Sequence, residues 1–447
     1  MQAEEKKSLV GEEYEVEIGP VAHGGHCIAR TSTGQVLFVR HALPGERVVA
    51  RVTEGEEGAR FLRADAVEVL SASKDRIEAP CPYAGPGRCG GCDWQHAKPG
   101  AQRRLKGEVV AEQLRRLAGL TPEEAGWDGT VMPAEGDKLP AGEVPAWRTR
   151  VQYAVDADGR AGLRRHRSHE VEPIDHCMIA APGVTELGIE KRDWTGMASI
   201  EAITATGSQD RQVILTPRPG ARLPLVELDR PVSVMRAEEP HGREGTGGVH
   251  RVHGRPFVRE RADGRTYRVG SGGFWQVHPK AADTLVTAVM QGLLPRKGET
   301  ALDLYCGAGL FAGALADRLG DKGAVLGIES GKRAVEDARH NLAAFDRVRI
   351  EQGKVESVLP RTGITEVDLI VLDPPRAGAG RKTVEHLSSL GARRIAYVAC
   401  DPAALARDLA YFREGGYRVR TLRAFDLFPM THHVECVAIL EPVAKGS

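Results

Sequence analysis

The sequence predicts an α/β protein in which a doubly wound parallel sheet follows a small β-barrel and a central α+β region. Three observations carry this reading. From residue 297 onward, apolar strands alternate with helix-length segments; residues 11–70 hold five short strands at close spacing; and residues 80–100 are dense in Cys, Gly and Pro. A chain of 447 residues has room for two or three domains with real cores. Lys+Arg and Asp+Glu are equal at 61 each, a balance that argues against phosphate binding over the whole surface but not over a local patch. Charged residues break every apolar stretch well before the roughly 18 residues needed to cross a bilayer, so no membrane span is expected. The charged start MQAEEKKSLV has no apolar run behind it and does not read as a signal peptide. The expected location is therefore cytoplasmic, where eight cysteines mean metal or chemistry rather than disulfides.

In the first unit, expected over residues 1–71, the runs YEVEIG, GHCIAR, QVLFVR, GERVVARV and RADAVEVL are separated by Gly and Pro turns. Five such strands predict a barrel of the oligonucleotide-binding (OB) type, although its acidic balance leaves a purely structural role open.

The second unit, expected over 72–260, begins with CPYAGPGRCGGC. Cys81, Cys89 and Cys92 cluster there and Cys177 follows in DHCMI, enough thiols for a zinc site or an iron–sulfur cluster. Their C-x7-C-x2-C spacing does not match the C-x3-C-x2-C triplet of radical enzymes. Residues 102–120 predict a helix with Leu105, Val109, Leu114 and Leu117 on one face and Arg103, Arg104, Lys106, Arg115 and Arg116 on the other; it is a candidate to pack on the third unit. Residues 121–145 read as a connecting loop. A hairpin follows, turning at Ala157-Asp158-Gly159, with Arg148, Arg150, Arg160, Arg164, Arg165 and Arg167 as candidate phosphate contacts. No regular structure is expected over 229–268.

In the third unit, 261–447, strand ALDLYCG runs into Gly307-Ala308-Gly309 and a helix, so the backbone can turn tightly against a ligand. Glu329, 20 residues beyond Gly309, ends the second strand, where a carboxylate can hold ribose hydroxyls. The spacing G-x-G-x-x-x-G and the lack of a phosphate-gripping Lys favour S-adenosylmethionine over a dinucleotide or ATP. The turn Asp373-Pro374-Pro375 strengthens this. Arg376 stands where amino-group methyltransferases commonly carry an aromatic residue, which argues against methylation of an exocyclic nitrogen.

Cys400 ends the strand RRIAYVAC at a helix N-terminus, a field that favours thiolate. Glu435 is a carboxylate inside the apolar strand HHVECVAIL; burial there would raise its pKa toward that of a useful base. His432 and His433 are nearby alternatives. Cys27, Cys306 and Cys436 are assigned no chemistry.

Together LDLYCGAGLF, DPPRAG, YVACDPAALARDL and HHVECVAIL resemble the RNA uracil-5-methyltransferase family, over most of the chain. The resemblance implies a Rossmann-like S-adenosylmethionine methyltransferase domain, an N-terminal OB-like barrel of the TRAM type and a central α+β cysteine-cluster domain. It also implies methylation of C5 of a uridine in rRNA or tRNA, with Cys400 adding to C6 and Glu435 removing the C5 proton. By the same resemblance Gln276, Tyr305, Glu329 and Asp373 hold the cofactor. In FWQVHP, His278 replaces the family's usual Asn, and Lys354 stands where the family often has Asp or Asn. Cys81, Cys89, Cys92 and Cys177 match the family's ligands of a 4Fe–4S cluster, whose first interval is usually C-x5-C. RNA is the implied partner, with no obligate protein partner evident. The weighed alternatives are a cytosine-5 RNA methyltransferase, a non-catalytic RNA-binding factor and an iron–sulfur redox protein; Cys400, Glu435 and the glycine loop argue against the second, and the lack of a flavin or dinucleotide fingerprint against the third.

Overall fold

The computed structural model describes residues 7–137, 143–238 and 248–443. Among them, strands β1 (Glu13–Val21), β2 (Cys27–Arg30), β3 (Val36–Arg40), β4 (Arg47–Glu54) and β5 (Leu62–Ser71) close a barrel in the order β1-β2-β3-β5-β4. Alternating side chains such as Leu37, Val39, Val48, Ala50 and Val52 fill its interior. The expected strands all form.

Helix α1 (Pro99–Gln113) starts on a proline in its first turn, continues through one wider turn over Leu114–Ala118, and stops at left-handed Gly119. It does not bury a single face. Leu105 and Val109 join the barrel core, whereas Val110 and Leu114 join the core of the last domain. Leu117, expected inside, is 40% exposed, and Lys106, expected outside, is fully buried. The segment after α1 is not all loop. Strand β6 (Val131–Pro133) adds to the edge of the last sheet, and 138–142 lie outside the described residues.

The central domain is a sheet in the order β13-β12-β11-β10-β7-β8-β9, built from β7 (Arg150–Val155), β8 (Ala161–Arg164), β9 (Val171–Pro173), β10 (Met197–Thr204), β11 (Arg211–Pro217), β12 (Ser233–Ala237) and β13 (Val249–His253). A short helix, α2 (Pro182–Thr185), precedes β10. The β7–β8 hairpin turns where expected. The described residues between 229 and 268 do form strands: β12, β13 and β14 (Phe257–Ala262) lie there, and β14 pairs with β15 (Arg265–Gly270) in a hairpin that straddles residue 261. Tertiary pairing overrode a composition rich in Arg, Gly and His. Residues 239–247 are outside the described set.

The last domain follows the predicted alternation: α3 (Ala281–Leu293), β16 (Thr300–Leu304), α4 (Leu310–Leu319), β17 (Ala324–Glu329), α5 (Lys332–Asn341), β18 (Val348–Gln352), α6 (Val355–Val358), β19 (Leu369–Leu372), α7 (Arg381–Ser389), β20 (Arg394–Ala399), α8 (Pro402–Glu414), β21 (Tyr417–Asp426) and β22 (Glu435–Pro442). The sheet order is β18-β17-β16-β19-β20-β22-β21-β6, parallel through β20 and antiparallel at β22. Its inner strands are apolar on both faces. Leu369 and Val371 enter one core, while Ile370 and Leu372 enter the other. No helix among the described residues is long and apolar enough to cross a membrane.

Candidate active site

The carboxyl edge of the last sheet gathers the predicted residues. The ladder pairs Ala399 of β20 with Cys436 of β22, so the next residues outward, Cys400 and Glu435, stand across from one another on one face. Asp373 follows β19, the neighbouring strand. Glu435 is buried, Asp373 and Cys400 half-buried. Burial raises Glu435 well above the ordinary carboxylate range and Asp373 raises it further, while Arg376 opposes the rise. Two carboxylates this close resist ionising together, so the pair retains a proton toward neutral pH.

The expectation that Cys400 favours thiolate is not met in this state. Burial, then the charges of Glu435 and Asp373, push its thiol up to about 11; Arg376 works in the other direction. A helix N-terminus contributes a fraction of a charge, and here burial together with two nearby carboxylates outweighs it. Cys400 opens into a cavity of about 110 Å³ shared with Arg376, His433, His432 and the β1–β2 turn of the barrel. His433 lies 3.4 Å from Arg376 (Nε2 to guanidinium) and is driven down to about 3, chiefly by burial, so it is a neutral imidazole near pH 7.

Tyr305 after β16 and Glu329 at the end of β17 lie on the same edge. Tyr305, Gly307 and Gly309 all take positive φ (61°, 53° and 90°), which folds the loop after β16 back over the sheet. At Gly309 the φ of 90° favours glycine, and an added Cβ would also stand 2.8 Å from Leu342 Cδ1. Glu329 accepts N–H bonds from Gly307 (3.1 Å) and Gly331 (2.6 Å), which fixes its carboxylate at the end of β17. Beneath the loop, buried Asp303 accepts the Ala312 N–H at 2.7 Å through Oδ2, and Oδ1 has no partner. This glycine cradle, anchored acid and orphaned buried oxygen fit S-adenosylmethionine. Gln276 is buried, and its segment is pinned from the central domain: Thr149 donates both its N–H and its hydroxyl to the Val277 carbonyl at 2.9 Å, and Arg150 donates to the Gly273 carbonyl. His278 is held by Asp137 at 2.9 Å. Lys354 caps α6 in extended conformation.

The four cysteines of the central domain share one neighbourhood. Burial raises Cys92, and Cys177, Cys89 and Cys81 each add to the rise, so the thiols oppose one another's ionisation. N–H groups point at the sulfurs: Gly91 to Cys89 at 3.4 Å and Gln95 to Cys92 at 3.4 Å. Such donors suit bound thiolates. Yet no three His, Cys, Asp or Glu side chains among the described residues converge on one point as metal ligands would. The donor set is gathered but not closed.

Four of the six arginines singled out as phosphate contacts are spent on neighbours: Arg150 pairs with Glu201, Arg160 with Asp156, Arg165 with Glu170 and Glu172, and Arg167 with Glu54 of the barrel. What sequence reasoning missed is the barrel's share of the cavity. His23, Gly24 and Gly25 line it, and their only signal was the Gly-Gly turn in HGGH.

Comparison with known proteins gives three family matches: the TRAM domain over residues 7–67, the Methyltransferase small domain over 279–390 and tRNA (Uracil-5-)-methyltransferase over 363–443. An uncharacterized RNA methyltransferase of Streptomyces coelicolor is 90% identical over 442 residues, covering 99% of this chain and 95% of that protein. A second, from Bifidobacterium longum, is 34% identical and covers 95% and 96%. The crystal structure of Pyrococcus abyssi tRNA (uracil-54, C5)-methyltransferase in complex with S-adenosyl-L-homocysteine superposes with a TM-score of 0.69 at 24% identity, covering 95% of this chain and 99% of that one. At that identity the likeness shows a shared fold.

Proposed function

The chain is an RNA methyltransferase of the TRAM-containing RNA (uracil-5-)-methyltransferase family, and from that premise we propose that it methylates C5 of a uridine in a structured rRNA or tRNA. One observation carries the reading: a thiol and a buried carboxylate face each other at the sheet edge beside the cofactor loop. Uracil C5 is a weak carbon nucleophile. Cys400 adds to C6 as thiolate, which places the ring's electrons on C5. S-adenosylmethionine, when bound, supplies the methyl group that C5 takes. Glu435, as carboxylate, then removes the C5 proton, and elimination expels Cys400. Burial and the Asp373 charge keep a proton on Glu435, so the thiolate is opposed by one charge instead of two, and Glu435 must release that proton before it acts as base.

Gln276, Tyr305, Glu329 and Asp373 are the residues that would hold the cofactor. Cys81, Cys89, Cys92 and Cys177 would hold a 4Fe–4S cluster, which would tie the 81–92 loop to Cys177 and supply no electron to the transfer. An anaerobic preparation is expected to be brown with about four irons per chain; stoichiometric zinc without iron would contradict this.

The test of the main reading is a pair of variants incubated with RNA and cofactor. Glu435→Gln is expected to accumulate a protein–RNA adduct stable to denaturing gels, and Cys400→Ala to form none, turn over nothing and still bind cofactor. Normal methylation by Cys400→Ala, or wild-type turnover by Glu435→Gln, would overturn it.

A further inference from the structure

The cavity at Cys400 is closed on one side by the barrel. His23, in the β1–β2 turn, places Nε2 3.0 Å from Asp401 Oδ2, across 378 residues of sequence. The turn is tightly seated: the Trp94 indole donates to the Gly25 carbonyl at 3.0 Å, and a Cβ on Gly25 would lie 2.6 Å from the Cβ of His432. Asp401 is divided between two tasks. Its Oδ1 accepts the Ala404 N–H at 2.8 Å and caps α8, which leaves Oδ2 for His23. The residue next to the thiol thus carries a negative charge, and the group positioned to offset it comes from another domain.

We propose that His23 is a positioning residue of the methyl-transfer site: seated by the barrel against Asp401, its imidazolium offsets that carboxylate beside Cys400 and makes the thiol a readier nucleophile. The proposal rests on reading Cys400 as the reactive thiol. It gives the barrel a second task besides contacting RNA, because the catalytic loop is electrostatically complete only when the β1–β2 turn is docked.

The surrounding charges agree in sign. The bond to Asp401 raises His23 above the ordinary histidine value, against a lowering by burial, and the Asp401 and Glu112 charges add to the rise. Asp401 is held low, despite its burial, by His23 and by the Ala404 N–H. On Cys400 the Asp401 charge acts with Glu435 and Asp373 against the thiolate, and Arg376 acts for it. His432 and His433 complete the facing wall. As pH rises through the His23 value the imidazolium is lost, and Asp401 then opposes the thiolate uncompensated.

The experiment is alkylation of Cys400 by iodoacetamide in the full chain without RNA, read by peptide mass spectrometry. His23→Gln keeps a hydrogen-bonding side chain but loses the cation, and is expected to slow Cys400 alkylation about threefold near neutral pH, roughly half a pKa unit. His23→Arg is expected to restore the rate. Asp401→Asn retains the cap and is expected to speed alkylation, and in that background His23→Gln should have no further effect. Equal rates for wild type and His23→Gln, equal loss in the Gln and Arg variants, or the same loss in the Asp401→Asn background would each overturn the proposal. Because the readout needs no RNA substrate, it stands apart from the adduct test of uridine methylation.

Discussion

At Cys400, burial and then the charges of Glu435, Asp373 and Asp401 outweigh the helix N-terminus that favours its anion. The same balance acts on Glu260, 2% exposed on β14, which accepts the Thr206 N–H at 2.6 Å and is pushed up to about 7, chiefly by burial. The native state therefore holds a proton that the unfolded chain releases above its ordinary value of 4.5. The stability this gives is complete below that value and lost as pH rises through about 7. Glu260→Gln keeps the acceptor and removes the titration. It is expected to be more stable than wild type by about 3 kcal/mol near pH 8 and little different at pH ~4.5, by urea unfolding. Parallel stability curves for the two proteins would contradict this. At this scale the sequence was informative wherever one residue sat in a distinctive local frame. Cys400 after an apolar strand and Glu435 inside one are visible without a structure. His23 is not, because its partner is 378 residues away and the Gly-Gly turn beside it marks a turn but no role.

The element that binds the molecule together is α1. Its Lys106 ammonium is fully buried, bonded to Asp426 at the end of β21 and to the Phe428 carbonyl at 3.0 Å. Burial lowers its pKa and the Asp426 charge counters that. Replacing one partner leaves the other charge buried and alone. Lys106→Met is expected to cost about 3–5 kcal/mol of unfolding free energy, and adding Asp426→Leu to recover most of it. A double variant as unstable as the single one would show that the pair is not the reason. The helix itself was legible from its 3.6-residue period, but its orientation was not. A helix shared by two cores has no single apolar stripe, so Lys106 passed for a surface charge and Leu117 for a core residue. Strand β6 escaped for a related reason: three residues in a Pro- and Gly-rich stretch carry no period, and only the edge of the distant β21 makes them a strand.

Over the whole molecule, the zero net charge is a sum of local pairings. Arg165 and Arg167 are neutralised by acids on their own domain and on the barrel, whereas Arg376 remains exposed at the mouth of the Cys400 cavity. On the proposed reading, RNA recognition would rest on shape and on a base taken out of its stack into that cavity, more than on a broad basic surface. The barrel and the methyltransferase sheet could be read from patterning, since close-set short strands and strand–helix alternation are local signals, whereas of the central sheet only the β7–β8 hairpin was legible. How the barrel turn meets α8 could not be read, because docking depends on surfaces with no sequence period. The central claim, that this chain methylates uridine C5, is tested most directly by nucleoside mass spectrometry of tRNA and rRNA from a strain lacking the gene, complemented with wild type or Cys400→Ala. Loss of 5-methyluridine from one RNA class, restored by wild type and not by Cys400→Ala, is the predicted result; unchanged 5-methyluridine in both classes would contradict it.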